Sequence, residues 1–460
     1  MKFVKVIGWL LLATFLLLAL LYLILVAINW KDRPPSAAAL RFEQIVVSRP
    51  AVADDDNAVV YIMGFGVPTD SDPVEAGARH MKWLEAFDDD TRPDSDPLRE
   101  TLSFQNEGSP LVAHLGNACG QESDRLQCAS VFDSIARDWQ PSDVDLLVLR
   151  RYEALLTRRA WRDVVPMNVS APFPPYANVM HAQRLYLLRL GQWAIQGRMD
   201  DVHAGLDADF AFWRTALPGS DSLIAQMIAV SALSQHFSYS NLVLRGLSPE
   251  RATRAVPADW TREFSPAERS MKRVMAGEMA FWKSVMAYTK RQAVEGTPPA
   301  DSEEQTLLEK WTGYLTDPLF KIQDTTNGIA DQRWRLCEEF GGAPLNQYLR
   351  LQKRWDEAPV ADEVAVYNPV GRMILRIGEG SAYVTYALRT ASVEGMRRAA
   401  LLAFQLHANG VPPEAVGALV GQTDLRDPYT ERPFEWNAER HSVTFAGPEN
   451  HRGRRVEYFY

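Results

Sequence analysis

The chain is poor in the patterns that usually announce chemistry. Its 460 residues include only three cysteines, Cys119, Cys128 and Cys337, and no Cys-x-x-Cys pair, so a redox motif or a ribbon-type zinc site has no support. There is no Gly-x-Ser-x-Gly elbow, since Gly378-Glu379-Gly380-Ser381 misses the pattern, and no Ser-x-x-Lys in a suitable setting. His-Glu-x-x-His, the P-loop and a strand-associated Gly-x-Gly-x-x-Gly are also missing. No Lys/Arg-rich run occurs and the net charge is −9, which argues against nucleic acid as a partner. The eight histidines are scattered. His236, inside an apolar stretch, reads as a hydrogen-bonded core residue before it reads as a base. Cys337, followed by Glu338 and Glu339, has no cationic sequence neighbour to lower its pKa and reads as an inert thiol.

What the chain does have is one long apolar run. Val6 to Ile28 carries no charge, and only Thr14 and Tyr22 are mildly polar. Its 23 residues span roughly 34 Å as a helix, enough for a hydrocarbon core of about 30 Å. Trp9 and Trp30 bracket it, as indoles do at headgroup level. A cleaved signal peptide carries an apolar region of only about 7–15 residues, so an uncleaved anchor in a lipid bilayer is the expectation. Lys2 and Lys5 precede the run while Lys31, Arg33, Arg41 and Arg49 follow it, so charge alone does not orient it. The short leading tail and the ease with which large domains translocate favour a cytoplasmic N-terminus.

Past the anchor (1–30), residues 31–57 read as a juxtamembrane linker with Pro34-Pro35, an alanine run and Asp54-Asp55-Asp56. Residues 58–358 read as a mainly helical soluble domain and 359–460 as a helix followed by a β-hairpin region. Ala58 to Phe65 suits either a strand or a buried segment, because periodicity does not separate the two. Asp-Ser-Asp-Pro recurs at Asp70–Pro73 and Asp94–Pro97 around an expected helix over 74–87. Turn chemistry explains these repeats better than calcium, since an EF-hand's glycine and terminal Glu are missing.

Ser142 with Asp145 predicts a capped helix, and Ser222 to Leu244 is apolar around most of its circumference and so is expected to be buried. Its Gln226, Ser231, Ser234, Gln235 and His236 argue against a second span. Ser265-Pro266-Ala267-Glu268 predicts a helix start, with the helix running on to Ala293. Further helices are expected over 303–314, 327–340, 345–355 and 392–408, the last ended by Asn409-Gly410. Phe434-Glu435-Trp436 and Ser442 to Phe445 alternate like a hairpin. The fold class expected is therefore mainly α: one N-terminal transmembrane helix, then a multi-helix soluble domain with a small C-terminal β-hairpin element.

In the last 60 residues an apolar helix leads to Gly410-Val411-Pro412-Pro413, with Leu419 beyond it. Asp427-Pro428-Tyr429-Thr430 and Pro433-Phe434-Glu435-Trp436 then lead into the hairpin. This arrangement resembles the C-terminal region of type II secretion pseudopilins, and the whole chain resembles an uncharacterised proteobacterial family of membrane-anchored proteins. The prepilin cleavage motif is missing and a long helical insertion precedes the shared region, so the resemblance implies an extracytoplasmic location and a local fold, without function or calcium. It places the anchor in a bacterial inner membrane and the bulk of the chain in the periplasm.

Two candidate constellations remain. Asp200, Asp201, His203, Asp207 and Asp209 crowd one helical segment, and His203 and Asp207, four apart, share a face as metal ligands would. The competing reading is an acidic first turn favoured by the helix dipole. Cys119 and Cys128 lie close enough to bridge in an oxidising compartment, though spacing does not establish the bond. Trp193, Phe212, Trp213, Trp282 and Trp334 suit the core of a helical array, without a sustained 34-residue repeat. The function expected is non-enzymatic, with no cofactor: an envelope protein that binds other envelope proteins through its helical body. The alternative is an envelope hydrolase assisted by a metal at His203 and Asp207.

Overall fold

A computed structural model describes residues 2–86, 110–119, 124–165, 171–295, 307–358, 365–377, 381–448 and 455–460. The helices among these residues are α1 (Lys2–Ile28), α2 (Ala37–Val47), α3 (Ala58–Met63), α4 (Pro73–Glu85), α5 (Pro110–Ala118) and α6 (Arg125–Asp138). They continue with α7 (Asp143–Leu156), α8 (Tyr176–Ile195), α9 (Met199–Gly219), α10 (Leu223–Arg245), α11 (Pro249–Ala255) and α12 (Lys272–Glu295). Then come α13 (Leu307–Thr316), α14 (Ile322–Gly342), α15 (Tyr348–Asp356), α16 (Pro369–Ile377), α17 (Ser381–Ala408) and α18 (Pro413–Gln422). The antiparallel sheet β1 (Glu435–Asn437), β2 (Ser442–Phe445), β3 (Val456–Phe459) closes the described chain. The fold is mainly α, with one long apolar N-terminal helix and a small C-terminal sheet.

Local chemistry sets many of the boundaries. Asp72 accepts the Val74 and Glu75 N–H groups and Pro73 opens α4, so the first Asp-Ser-Asp-Pro is a helix cap; the second lies outside the described residues. Ser142 and Asp145 form the reciprocal capping box of α7. Ser222 accepts the Ala225 N–H to start α10. Gly410 takes a positive φ of 59°, which stops α17 where Asn409-Gly410 predicts.

Of the two readings of Ala58 to Phe65 the buried segment holds: Ala58–Met63 is a buried helix, because Asn57 caps it through the Val59 N–H and α4 lies directly against it. That contact needs Gly77, where a Cβ would sit 1.8 Å from the Val60 carbonyl oxygen. Other expectations are corrected. Ser265 and Glu268 make their reciprocal cap bonds, yet only a turn follows, and α12 starts at Lys272. Segment 31–57 is no free linker, since it contains α2, whose Ala38, Ala39 and Phe42 are buried. The small alanines allow α2 to lie along α12 and α14, and Phe42 meets Trp334 edge-on at 5.1 Å.

Among the described residues the main hydrophobic core runs from Ala38 to Phe459, across the boundary drawn at 358/359, and a small second cluster joins Met63, Leu84 and Ala171. At its centre α10 is buried on nearly all sides, packed by α17, α9 and α8. The hairpin gains a third strand by pairing β3 with β2, and α10 bonds that strand besides: Asn241 Nδ2 donates to the Phe459 carbonyl and its Oδ1 accepts the Phe459 N–H, both at 2.7 Å. One amide side chain thus substitutes for a neighbouring strand. Among the described residues one helix, Lys5–Ile28, is long and apolar enough to cross a membrane, and none of it is buried against the body.

Candidate functional site

The sequence-flagged acidic segment is split by the fold. Asp200 pairs with Arg254 and Asp201 with Arg198 at the surface. His203 Nδ1 donates to the Val256 carbonyl at 3.1 Å, which turns its ring toward the end of α11. Asp207 is half-buried on the same face. Asp209 instead faces the core, fully buried. Among the described residues no three His, Cys, Asp or Glu side chains gather as a metal site would require, so nothing completes a ligand set for His203 and Asp207.

Asp209 organises a polar centre that joins α7, α8, α9 and α10. Its Oδ1 accepts the Tyr152 hydroxyl at 2.5 Å, and Gln183 Nε2 reaches its Oδ2 at 3.1 Å. His236 Nδ1 lies 2.7 Å from Oδ2, and Trp260 Nε1 donates to His236 Nε2 at 3.0 Å. An indole is only a donor, so Nε2 carries the lone pair and Nδ1 the proton given to Asp209. Tyr152 in turn accepts from Trp213 Nε1 at 2.8 Å. Burial, then the Asp209 charge, pushes the Tyr152 hydroxyl well up, so it stays a donor. The Asp–His pair resembles the base half of a nucleophilic triad, but both ring nitrogens are engaged and both side chains are at 0% exposure. The arrangement specifies core packing.

A second carboxylate pair was not legible from spacing. Asp163 N–H donates to Asp221 Oδ2 at 3.0 Å and Asp221 N–H donates to Asp163 Oδ2 at 3.2 Å. Arg49 Nη1 reaches Asp221 Oδ2 at 2.9 Å and Arg273 Nε reaches Oδ1 at 2.7 Å. Both carboxylates are buried. Burial, reinforced by the Asp221 charge, raises the Asp163 carboxyl to about 7. Gly277 lets α12 approach, since a Cβ there would stand 1.8 Å from the Asp221 carbonyl oxygen. Chemically the pair can hold and release a proton near neutrality. Structurally it ties the segment after α2, the loops before α8 and α10, and α12 into one knot.

The third constellation sits where α1 meets the body. Asn29 Oδ1 accepts the Asn368 N–H at 2.6 Å, and its Nδ2 donates to Val366 O at 2.9 Å and to Leu25 O at 2.8 Å. Asp32 caps α14 by accepting the Gln323 and Asp324 N–H groups. Asn327 exchanges bonds with the Ser36 N–H and the Pro34 carbonyl, and Arg33 pairs with Asp324. Asn368 itself holds φ 53°, and its amide bonds Asp324, Thr325 and Lys321. The polar residues just past the apolar run are therefore consumed in fixing its direction. The only sequence signal was their position: Asn29 ends the run, and Tyr367-Asn368-Pro369 interrupts a helical pattern.

Cys119 and Cys128 are joined as a disulfide with Cα atoms 4.7 Å apart. Cys337 is buried, and that burial pushes its thiol up to about 12, despite Lys272 and Arg333 nearby. A cleft of about 440 Å³ lies between α15 and the chain before and after β2, lined by Lys353, Asp356, Glu357, Asp427, Tyr429 and Thr430. Asp427 is already committed there: its Oδ1 accepts the Tyr429 and Thr430 N–H groups, so the Asp-Pro-Tyr-Thr motif is a turn. No protein-family model, curated protein or solved structure matches this chain.

Proposed function

We propose that the chain is a single-pass envelope protein, held in the bacterial inner membrane by Val6 to Ile28 with its N-terminus cytoplasmic. Its helical periplasmic body serves a protein-binding or structural role. The observation that carries this reading is the contrast between α1 and everything after it. Leu16, Leu17 and Leu18 are more than half exposed, while the body buries Phe210, Trp213 and Trp260 completely. Apolar side chains left outside a well-formed core have lipid as their natural solvent. The binding role is supported by the Asp209 and Asp163–Asp221 centres, whose charged groups are spent on one another rather than aimed at a ligand. The C-terminal resemblance and the Cys119–Cys128 bridge support an extracytoplasmic body.

The test is a reporter fused after Tyr460, combined with alkaline extraction of membranes and a photo-crosslinking residue at Phe173 or Ile195, both exposed apolar positions. Expected are extraction resistance, an extracytoplasmic reporter signal and crosslinks to envelope proteins. A cytoplasmic signal overturns the orientation, and release by alkali overturns the anchor. Stoichiometric metal in the purified chain would favour the hydrolase reading at His203 and Asp207 instead.

A further inference from the structure

The apolar helix and the body meet at a level that places part of the body inside the bilayer. Tyr22 lies six residues before Ile28, and its hydroxyl donates to the Leu315 carbonyl at 3.1 Å. Six residues of helix amount to about 9 Å along the axis. Trp30, 77% exposed and suited to the headgroup level, is roughly 12 Å from Tyr22 on the same scale. The Lys5–Ile28 helix has 24 residues, about 36 Å, so it exceeds a core of about 30 Å by only about four residues. Even if the whole excess stood clear on the body's side, Tyr22 and the carbonyl it holds would remain below the hydrocarbon boundary.

The end of α13 is dressed for that level. Tyr314 is 58% and Leu315 50% exposed, and of the exposed apolar residues of the body Leu315 is the one whose carbonyl the span itself holds. Val366, whose carbonyl is held by Asn29 at the end of the span, is also half exposed. Above this apolar tip the chain turns charged: Lys31 and Asp32 are exposed, Arg33 and Arg372 share Asp324, and Asp317 pairs with Lys290. That order, apolar below and charged above, fits acyl chains under polar headgroups.

Resting on the single-span reading above, we propose that the end of α13 is a second membrane element, a wedge seated in the interfacial zone of the bilayer beside the span. The occupant of the Tyr314–Leu315 face is lipid. The protein is then both bitopic and monotopic, and its body is held against the membrane surface.

The test uses the full chain in vesicles of phosphatidylethanolamine and phosphatidylglycerol, with nitroxides on single introduced cysteines. Sites are Leu315→Cys, Tyr314→Cys, Leu20→Cys within the span and Ile195→Cys on the body. Oxygen accessibility relative to that of a water-soluble nickel chelate at Leu315→Cys is expected to exceed that at Ile195→Cys several-fold, approaching Leu20→Cys. Tyr314→Cys provides the same reading if Leu315→Cys fails to fold. A water-like ratio at both α13 sites, with Leu20→Cys lipid-like, overturns the wedge and leaves the anchor standing. Low accessibility to both reagents would mean that protein covers the face, which also overturns it. A water-like Leu20→Cys overturns the anchor itself.

Discussion

Asn29 and Asn368 are 339 residues apart in sequence, and the first accepts the backbone N–H of the second at 2.6 Å. That bond joins the end of the apolar helix to a residue held at positive φ, whose amide is fully occupied by the start of α14. Replacing Asn29 by Leu leaves the Asn368 N–H and the Val366 carbonyl without their partner. The buried Asn368 N–H left without its partner costs about 1–3 kcal/mol, and the half-exposed Val366 carbonyl less, since water can reach it. Asn29→Leu is expected to lower the melting temperature of the detergent-solubilised chain by several degrees and to speed proteolysis after Lys31. An unchanged melt would show that the junction does not hold the body.

The Asp209 centre predicts a sharp contrast between neighbours on one helix. Asp209→Ala strands the hydrogens of Tyr152, Gln183 and His236 and should cost at least about 3 kcal/mol. His203→Ala and Asp207→Ala, at the surface-facing side, should stay within about 0.5 kcal/mol. Denaturant unfolding of the three variants measures the difference.

Asp163 makes stability depend on pH in the direction opposite to most carboxylates. Folded, its carboxyl holds a proton up to about 7; unfolded, it releases it near 3.8. The native state therefore binds more protons between these values, and stability falls as pH rises through the window, by up to about 1.4 kcal/mol per unit. Above about 7 both states are ionised and this contribution is flat. Asp163→Asn should remove the slope and raise the melting temperature at pH 8. A variant whose slope matches the parent would sink the assignment.

The disulfide predicts a count. Protein trapped from cells with acid, denatured and alkylated without reductant should take up one label, at Cys337, because Cys119 and Cys128 are bonded. Three labels would place the body in a reducing compartment. Cys119→Ser with Cys128→Ser closes no loop in the unfolded chain and should lose about 2–3 kcal/mol.

Gly277→Ala offers a steric test of the Asp163–Asp221 knot. A methyl group 1.8 Å from a backbone carbonyl oxygen requires α12, and Arg273 with it, to move away from Asp221. The expected result is a loss of several kcal/mol despite the better helix propensity of alanine, read as a lower denaturation midpoint.

Signals confined to a few neighbouring residues were readable in the sequence. Ser142 with Asp145 and Asn409-Gly410 each fix a helix end by bonds made within one turn. The apolar pattern of 222–244 foretold its burial, and the alternation around Ser442–Phe445 foretold a hairpin. Long-range partners were not readable. Asp163 and Asp221 stand 58 residues apart on loops with no pattern of their own. Asp209 looked like one more acid in a solvated turn, because one residue's shift around a helix separates a surface side chain from a core one. β3 pairs with β2, and the Phe459 backbone is bonded besides by Asn241, a residue inside a helix, which no strand pattern reveals. The alanines of α2 read as linker because close helix contact and a flexible tether use the same small residues.

The burial of Ala38, Ala39 and Phe42 begins ten residues past Ile28. A flexible chain over residues 31–57 would let the body roam through a radius of roughly 25–30 Å and tumble freely. With α2 packed into the core, only a few residues separate α1 from the body, so on the anchored reading proposed above the body has little tether to swing on. Whatever meets this protein must arrive at a set height and a set angle. On the proposed function, binding then selects for partners confined to the same plane, where search is two-dimensional and orientation is settled before contact.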